Sequence, residues 1–133
     1  MGIIIDADVI ISGEKGTFDL KGWLRANSRE QFEIAAITIA ELWHGVERAT
    51  GARRPQREIY LQTIVSSMPI IPYTEDTAYE HARIWAKLEG SGRMIDDYDM
   101  VVAATALVRS SSVATFNHKH FSAVPGLKVM EPR

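Results

Sequence analysis

The chain has 133 residues, 46% hydrophobic and 24% charged, which predicts one folded domain over residues 1–133 with no apolar run long enough to cross a membrane. It contains no cysteine, so disulfides, zinc thiolates and cysteine nucleophiles are excluded, and this composition is typical of a cytoplasmic protein. The formal net charge of −2 argues against a broadly basic surface, so a nucleic-acid substrate would need a local basic patch.

The first half of the chain alternates short apolar runs with amphipathic segments. The opening residues carry no basic region and no cleavage pattern, so no secretion signal is expected. Residues 3–5 are β-branched and apolar throughout, which favours a strand buried on both faces. We predict a weak amphipathic helix over 19–27, a second buried strand over 34–37, and a firmer helix that begins at Thr38 and stops near Gly51.

The second half continues the same alternation. Pro55 suits the first turn of a helix that runs to Ser66. The remaining predicted elements are a strand at 70–71 between two prolines, a helix from Thr74 to the glycines at 90 and 92, a helix at 97–109, and strands at 113–115 and 127–130. Strands that alternate with helices predict an α/β chain with a three-layer α/β/α fold around a mainly parallel central sheet.

Three acidic residues follow hydrophobic runs at the starts of predicted helices. They are Asp6, Glu41 and Asp99. Parallel strands deliver their last residues to one edge of a sheet, so we expect these carboxylates to converge although they are far apart in sequence. Converging carboxylates repel one another unless a cation lies between them. Hard oxygen ligands suit Mg²⁺ or Mn²⁺, and displacement at phosphorus is the chemistry that best matches such a site.

Several segments, in order along the chain, resemble the motifs of PIN domains. Residues 3–11 resemble the opening strand that ends in Asp-Thr-Asn/Asp, and residues 35–49 resemble Thr-x-x-Glu-Leu followed by Gly-Val/Ile-Glu. Residues 95–104 are similar to Asp-x-x-Ile-Ala-Ala, and residues 114–121 are similar to Thr-x-Asn/Asp-x-x-x-Phe. Residues 124–129 resemble the closing segment of VapC-type toxins. The resemblance implies a PIN-like fold and a metal-dependent endoribonuclease, the toxin of a bacterial or archaeal type II toxin–antitoxin pair.

The resemblance also implies roles for four residues. Asp6, Glu41 and Asp99 match the acidic triad of the family, and Asn117 matches a fourth position that is often Asp. We expect Asp6 and Asp99 to hold Mg²⁺, with Mn²⁺ as a substitute, and Glu41 to orient or deprotonate the attacking water. Asn117 would hydrogen-bond this water or the scissile phosphate. Ala7 departs from the usual Thr or Ser and removes a hydroxyl near the first aspartate.

Three further residues are candidates for the same site. Asp97 is a reserve metal ligand, and Arg93 is placed to contact a phosphate ahead of the third acidic motif. Asp8 points away from the other acidic residues if the first strand continues, but toward the site that they form if a helix begins at that point.

Each acidic candidate also has a plain structural explanation. Thr38 and Glu41 form the pattern of a capping box, which would be the preferred interpretation if the pattern stood alone. Asp96 can cap the helix at 97, where Asp99 would then favour the helix dipole. The others are equally good caps or turn residues: Asn117, Asp8 and Asp6. Capping and metal binding are compatible, because helix N-termini would then face the anionic phosphate.

Other polar and aromatic residues carry weaker signals. The histidines show no zinc-site spacing, and we interpret them as surface residues: His44, His81, His118 and His120. The tryptophans fit core or interface packing better than base stacking: Trp23, Trp43 and Trp85. The cluster of Arg53, Arg54 and Arg57 fits a solvated charge run better than an RNA contact.

The resemblance implies an RNA substrate, a cognate antitoxin protein and a homodimer. We expect the apolar face of the helix from Thr38, with Trp43 and Val46, to pair two chains, and an antitoxin arginine to reach the acidic pocket.

Two alternatives remain open at this point. The hydrophobic-Asp6-Ala7-Asp8 sequence also resembles the nucleophile motif of haloacid-dehalogenase-type phosphatases, although Ile10 replaces the Thr of that motif. A PIN-like fold that only binds a partner, without catalysis, is the other alternative, since Ala7 and Asn117 depart from the commonest family residues.

Overall fold

The computed structural model describes residues 2–133, and Met1, the first residue of the predicted domain, lies outside the described residues. The strands are β1 (Gly2–Ile5), β2 (Gln31–Ala35), β3 (Ile70–Ile71), β4 (Ser112–Ala114) and β5 (Val129–Met130). The helices are α1 (Ala7–Lys15), α2 (Leu20–Ala26), α3 (Ala36–Arg48), α4 (Arg53–Val65), α5 (Glu75–Ser91), α6 (Asp97–Arg109) and α7 (His118–Phe121). No helix within residues 2–133 is both long and apolar enough to cross a membrane.

The five strands form one parallel sheet in the order β3-β2-β1-β4-β5. The chain moves outward from β1 to β2 and β3 on one side, then returns to build β4 and β5 on the other side. The order therefore reverses at β1, and in open parallel sheets a crevice forms outside the carboxyl ends of the strands at this switch point. This topology places the ends of β1 and β4 beside each other at that crevice.

Two hydrophobic clusters cover the two faces of the sheet. Ile3 and Ile5 of β1 pack into a cluster with residues of α1 to α4, whereas Ile4 packs into a second cluster with residues of α5, α6 and α7. Side chains alternate between the faces of a strand, so a strand that is apolar at every position is buried on both faces. The predicted three-layer α/β/α fold with a parallel central sheet is confirmed.

The boundary between β2 and α3 differs from the sequence-based prediction. β2 spans Gln31–Ala35 rather than 34–37. The prediction missed the start of the strand because the charged residue Glu33 interrupts the apolar pattern there. α3 begins at Ala36, and its N-cap residue Ala35 makes no side-chain cap hydrogen bond. Thr38 is buried in the first turn, and its hydroxyl has no hydrogen-bond partner among residues 2–133. The capping-box interpretation of Thr38 and Glu41 is therefore wrong, and Glu41 is left for another role.

Several other boundaries follow the local signals. α6 spans Asp97–Arg109 as predicted, with Asp96 accepting a hydrogen bond from the Tyr98 backbone at 2.8 Å. Thr74 caps α5, which ends at Gly92 in the left-handed region. The end of α3 is an exception: the helix ends at Arg48 rather than near Gly51, which lies in the turn before α4 with a φ of 61°.

The apolar face of α3 is used inside the chain. Val46 and Leu42 are buried in the first cluster, and Trp43 is half-buried against it. The expectation that this face exceeds what the sheet needs is wrong, because α3 packs on α4, α1 and the sheet. A different apolar surface is exposed, where Tyr73 and Trp85 flank His81.

Candidate active site

Asp6 lies at the switch point, immediately after β1, and caps α1. One carboxylate oxygen, Oδ1, accepts a hydrogen bond from the Ala7 backbone at 2.9 Å, and Oδ2 accepts one from the Thr115 hydroxyl at 2.8 Å. Thr115 follows β4, the strand paired with β1, so the sheet itself brings this hydroxyl to the aspartate. Ala7 cannot provide a hydroxyl, and Thr115 provides one to Asp6 instead. Sequence reasoning gave Thr115 no role, although it lies directly at a strand end.

Asp8 points into the same crevice as Asp6, because α1 begins at Ala7 and turns the chain. Glu41 and Asp99 face this crevice as well, and together the four side chains form the acidic mouth. Its Oδ2 accepts a hydrogen bond from the Phe116 backbone at 3.0 Å and lies 3.3 Å from the Thr115 hydroxyl. Its Oδ1 is buried without a hydrogen-bond partner among residues 2–133. Asp8 thus ties the start of α1 to the segment after β4 while leaving one oxygen unsatisfied.

Glu41 reaches the mouth from the second turn of α3. Its Oε1 is buried and has no hydrogen-bond partner in the described part of the chain. Burial raises the pKa of Glu41 from 4.5 to about 7, and repulsion from Asp99, Asp96 and Asp8 adds to the shift. These charges come from α6 and α1, so the three helix starts face one another.

Asp99 lies in the first turn of α6 and contacts a residue that sequence reasoning missed. The Nδ1 atom of His120 lies 3.2 Å from Oδ2 of Asp99 and 2.8 Å from Nδ2, the side-chain amide nitrogen of Asn117. His120 was interpreted as a surface residue, and it is half-exposed, but α7 turns it toward Asp99. A signal was present: Asn117 and His120 are three residues apart and share one face of a helical turn. Asn117 is the N-cap residue of α7 but makes no side-chain cap hydrogen bond.

The cluster concentrates negative charge where water has little access. Burial is the largest cause that raises the pKa of Asp6 from 3.8 to about 7; Asp8 and Asp99 also raise it, whereas hydrogen bonds from Thr115 and Ala7 oppose the rise. Burial likewise raises the pKa of Asp8 and of Asp99. Strongly perturbed carboxyl groups in a crevice are typical of functional sites.

Two predicted site residues take no visible part in this cluster. Asp97 and Arg93 are exposed, and neither makes a side-chain hydrogen bond or ion pair within residues 2–133. Asp96, predicted only as a cap, caps α6 and also contributes charge, since it raises the pKa of both Glu41 and Asp99.

The donor set fits a hard divalent cation that keeps much of its water. No group of three or more Asp, Glu or His side chains within residues 2–133 is close enough to form a ready-made metal cage. Mg²⁺ does not need one, because it is usually bound by one or two carboxylates and retains several waters. The unpartnered buried oxygens of Asp8 and Glu41 and the mutual repulsion of the acids would both be relieved by a cation.

Comparison with known proteins agrees with this geometry. The family model for the PIN domain matches residues 3–127. Ribonuclease VapC1 from Rickettsia felis is 33% identical over 98% of this chain and 96% of its own length, and Ribonuclease VapC from Rickettsia bellii is 30% identical over the same shares.

A solved structure shows the same fold. It is the crystal structure of VapBC2 from Rickettsia felis bound to a DNA fragment from their promoter, which matches with a TM-score of 0.92 and 21% identity over 100% of both chains. The family match also leaves the phosphatase alternative without support. The chain belongs to the PIN domain family and, within it, groups with the VapC ribonucleases.

Proposed function

We propose that this VapC-type ribonuclease is a metal-dependent endoribonuclease that acts as the toxin of a toxin–antitoxin pair and hydrolyses RNA phosphodiester bonds. The observation that carries the proposal is the cluster of Asp6, Glu41 and Asp99 at the switch point of the sheet, with a buried Glu41 oxygen that has no partner in residues 2–133. The ribonuclease names of the relatives support the reaction class.

Asp6 and Asp99 are the residues that would hold Mg²⁺ or Mn²⁺, with Asp8 beside them. When bound, the cation would polarise the scissile phosphate and lower the pKa of a coordinated water. Asp6 is held in place for this task by the Ala7 backbone and the Thr115 hydroxyl, so its carboxylate needs little reorganisation.

Glu41 is the group best placed to move a proton. Its pKa of about 7 makes it an effective acceptor near neutral pH, and the residue lines the cavities from which water would approach. As the oxygen of water bonds to phosphorus, Glu41 takes the proton, the bond from phosphorus to the leaving ribose oxygen breaks, and that oxygen is protonated by solvent. The Asn117 amide can donate to the phosphate during this change.

His120 is a positioning residue in this proposal. A carboxylate only accepts hydrogen bonds, so His120 can hold Asp99 only in the tautomer that carries a proton on Nδ1. In that tautomer the Asn117 side-chain nitrogen, itself a donor, makes no hydrogen bond to Nδ1 and is free for another acceptor. His120 thereby links α7 to α6 at the point where Asp99 must be presented.

We further propose that the partner is an antitoxin, by analogy with the VapBC2 structure that shares this fold. The homodimer and the cytoplasmic location that the resemblance to VapC-type toxins implies are part of the same proposal. An antitoxin arginine that enters the acidic mouth would supply the positive charge that the cluster lacks. The affinity for such a partner should fall in Glu41→Gln and Asp99→Asn.

The deciding experiment measures cleavage of single-stranded and structured RNA by the purified protein with Mg²⁺, with Mn²⁺ and with EDTA. Cleavage should require the metal, and Glu41→Gln should lower the rate by roughly 10²- to 10⁴-fold, the usual contribution of a general base. Glu47→Gln is the matched control, because Glu47 is exposed on the same helix and pairs with Arg54. RNA binding without cleavage under all conditions would favour the non-catalytic alternative.

A further inference from the structure

A cleft runs along α3 away from the acidic mouth. It consists of three adjoining cavities of about 280, 570 and 290 Å³. Glu41 and His44 line both the first and the second cavity, whereas Gly45, Arg53 and Arg57 line both the second and the third. The cleft therefore begins at the proposed general base and extends about 12 Å along α3, from Ala40 to Arg48.

The cations of this cleft come from three helices. Lys15 belongs to α1, Arg48 to α3, and Arg53 and Arg57 to α4. Lys15, Arg48 and Arg53 form no ion pair with any other residue in 2–133. The chain as a whole is slightly acidic, with a formal net charge of −2, so this local excess of positive charge contrasts with the rest of the surface.

Arg57 is fixed in the floor of the cleft. Its Nε donates to Oε2 of Glu14 at 2.9 Å, and both side chains are mostly buried. Its guanidinium lies against Gly45, where a Cβ atom would come within 2.6 Å of Nη1. The Nη groups have no hydrogen-bond partner among residues 2–133. A guanidinium that is oriented by one carboxylate and still has free donors is suited to bind a phosphate.

We infer that this cleft binds the sugar-phosphate backbone of single-stranded RNA on one side of the scissile bond. The inference rests on the proposed function, because the cleft leads into the acidic mouth at Glu41. The four carboxyl groups of the acidic mouth would repel an anionic backbone, so the backbone needs fixed positive charge next to them to remain bound. Three helices supply this charge along a path that opens directly onto the reacting group.

The sequence interpretation of the arginine cluster is corrected in part by this arrangement. Arg53 and Arg57 face the cleft, whereas Arg54 pairs with Glu47 and does not line it. Only the fold separates these three neighbouring arginines into two environments, the cleft and the exposed ion pair with Glu47.

The test measures binding of a fluorescently labelled single-stranded RNA of mixed sequence by anisotropy, in EDTA and at several salt concentrations. The variant Arg48→Gln/Arg53→Gln should bind about tenfold more weakly than wild type at low salt. Its dependence of log K on log salt should flatten by about 1.4, since each phosphate contact on a single strand contributes roughly 0.7. The control Arg54→Gln/Arg83→Gln removes the same charge from residues outside the cleft and should match wild type. Thermal unfolding of each variant establishes that the fold is retained.

The outcomes separate this inference from the proposed function. RNA affinity equal to wild type in Arg48→Gln/Arg53→Gln, or no measurable wild-type binding at low salt, would overturn the inference, even if cleavage with Mg²⁺ is observed. Weaker RNA binding in that variant would support it, even if no cleavage is found. Loss of binding to poly-L-glutamate with unchanged RNA affinity would instead identify the cleft as a surface for an acidic protein segment and overturn the RNA assignment.

Discussion

At the scale of single residues, the acidic side chains of the site are held in place by neighbouring polar side chains that come from distant parts of the sequence. Thr115 donates its hydroxyl to Asp6 and accepts a hydrogen bond from the Asn117 backbone at 2.9 Å, so one hydroxyl joins two site residues. His120 acts in the same way on Asp99. Groups that orient a ligating or catalytic carboxylate commonly contribute one to two orders of magnitude to activity.

His120→Ala should therefore lower kcat about tenfold while KM for RNA changes little, because Asp99 loses its orientation and the substrate surface is retained. His120→Asn keeps a donor near the position of Nδ1 and should recover part of the loss. The measurement is steady-state cleavage of a fluorogenic RNA with Mg²⁺. His118→Ala is the control, since His118 is an exposed neighbour in α7. An equal loss in both alanine variants would contradict the specific role of His120.

At the scale of elements, an ion pair between a buried carboxylate and a half-exposed arginine lies toward the end of the sheet that is opposite the site. Glu33 of β2 is buried and pairs with Arg109 at the end of α6, and the Ser111 hydroxyl is 3.3 Å from its Oε1. Gly2 leaves room for this carboxylate, because a Cβ atom there would come within 2.6 Å of it. The pair connects β2, α6 and the start of β4, and so fixes the two strands that flank β1.

Arg109→Met should destabilise the fold by about 2–3 kcal/mol. Removing one partner of a buried pair leaves an uncompensated charge, which typically costs 3–5 kcal/mol, but the Arg109 side chain is 44% exposed and the effect is reduced accordingly. The measurement is urea unfolding. The double variant Glu33→Gln/Arg109→Met should recover part of the loss, and a double variant no more stable than the single one would argue against this account.

At the scale of the whole molecule, the parallel sheet gathers unfavourable charge at one edge. Four carboxyl groups with raised pKa values lie at the mouth formed by α1, α3 and α6. The fold tolerates their repulsion because the two hydrophobic clusters stabilise the sheet from both faces. A site of this kind makes the stability of the protein depend on pH and on cations.

The raised pKa values fix the sign of the pH dependence. The pKa values of Asp6 and Glu41 rise from 3.8 and 4.5 to about 7, so the folded state holds protons that the unfolded chain has already released. Their contribution to stability is complete below about pH 4 and is lost as the pH rises through 7. In EDTA, thermal unfolding should therefore show that wild type loses stability relative to Asp6→Asn/Glu41→Gln between pH 5 and pH 8.

Millimolar Mg²⁺ should reverse this loss at pH 8 by several degrees in wild type, because a ligand that binds only the folded state stabilises it by mass action. The variant Asp6→Asn/Asp99→Asn should not respond. A wild-type stability that rises with pH relative to the first variant, or a melting temperature that is insensitive to Mg²⁺ and Mn²⁺, would contradict the proposed cation site.

The sequence by itself determined the elements that are encoded locally. The helix over Asp97–Arg109 has its cap, its acidic first turn and its apolar stripe within one window, and it was predicted with correct bounds. The parallel α/β/α architecture followed from buried apolar runs that alternate with amphipathic helices. The positions of Asp6, Glu41 and Asp99 at strand-to-helix transitions were also readable, since such transitions are local features. Their catalytic roles stay predictions.

Only the tertiary structure decided which residues meet across long separations. His120 reaches Asp99, Arg57 reaches Glu14, and these contacts span 21 and 43 residues of chain. The start of α3 at Ala36 was equally non-local, because β2 extends to Ala35 through its pairing with β3, whatever the local capping pattern suggests. Propensity, periodicity and capping depend on neighbours within a turn or two, whereas these contacts depend on how helices pack over the sheet. The basic cleft beside an acidic site, in a chain with a net charge of −2, is therefore a property of the fold.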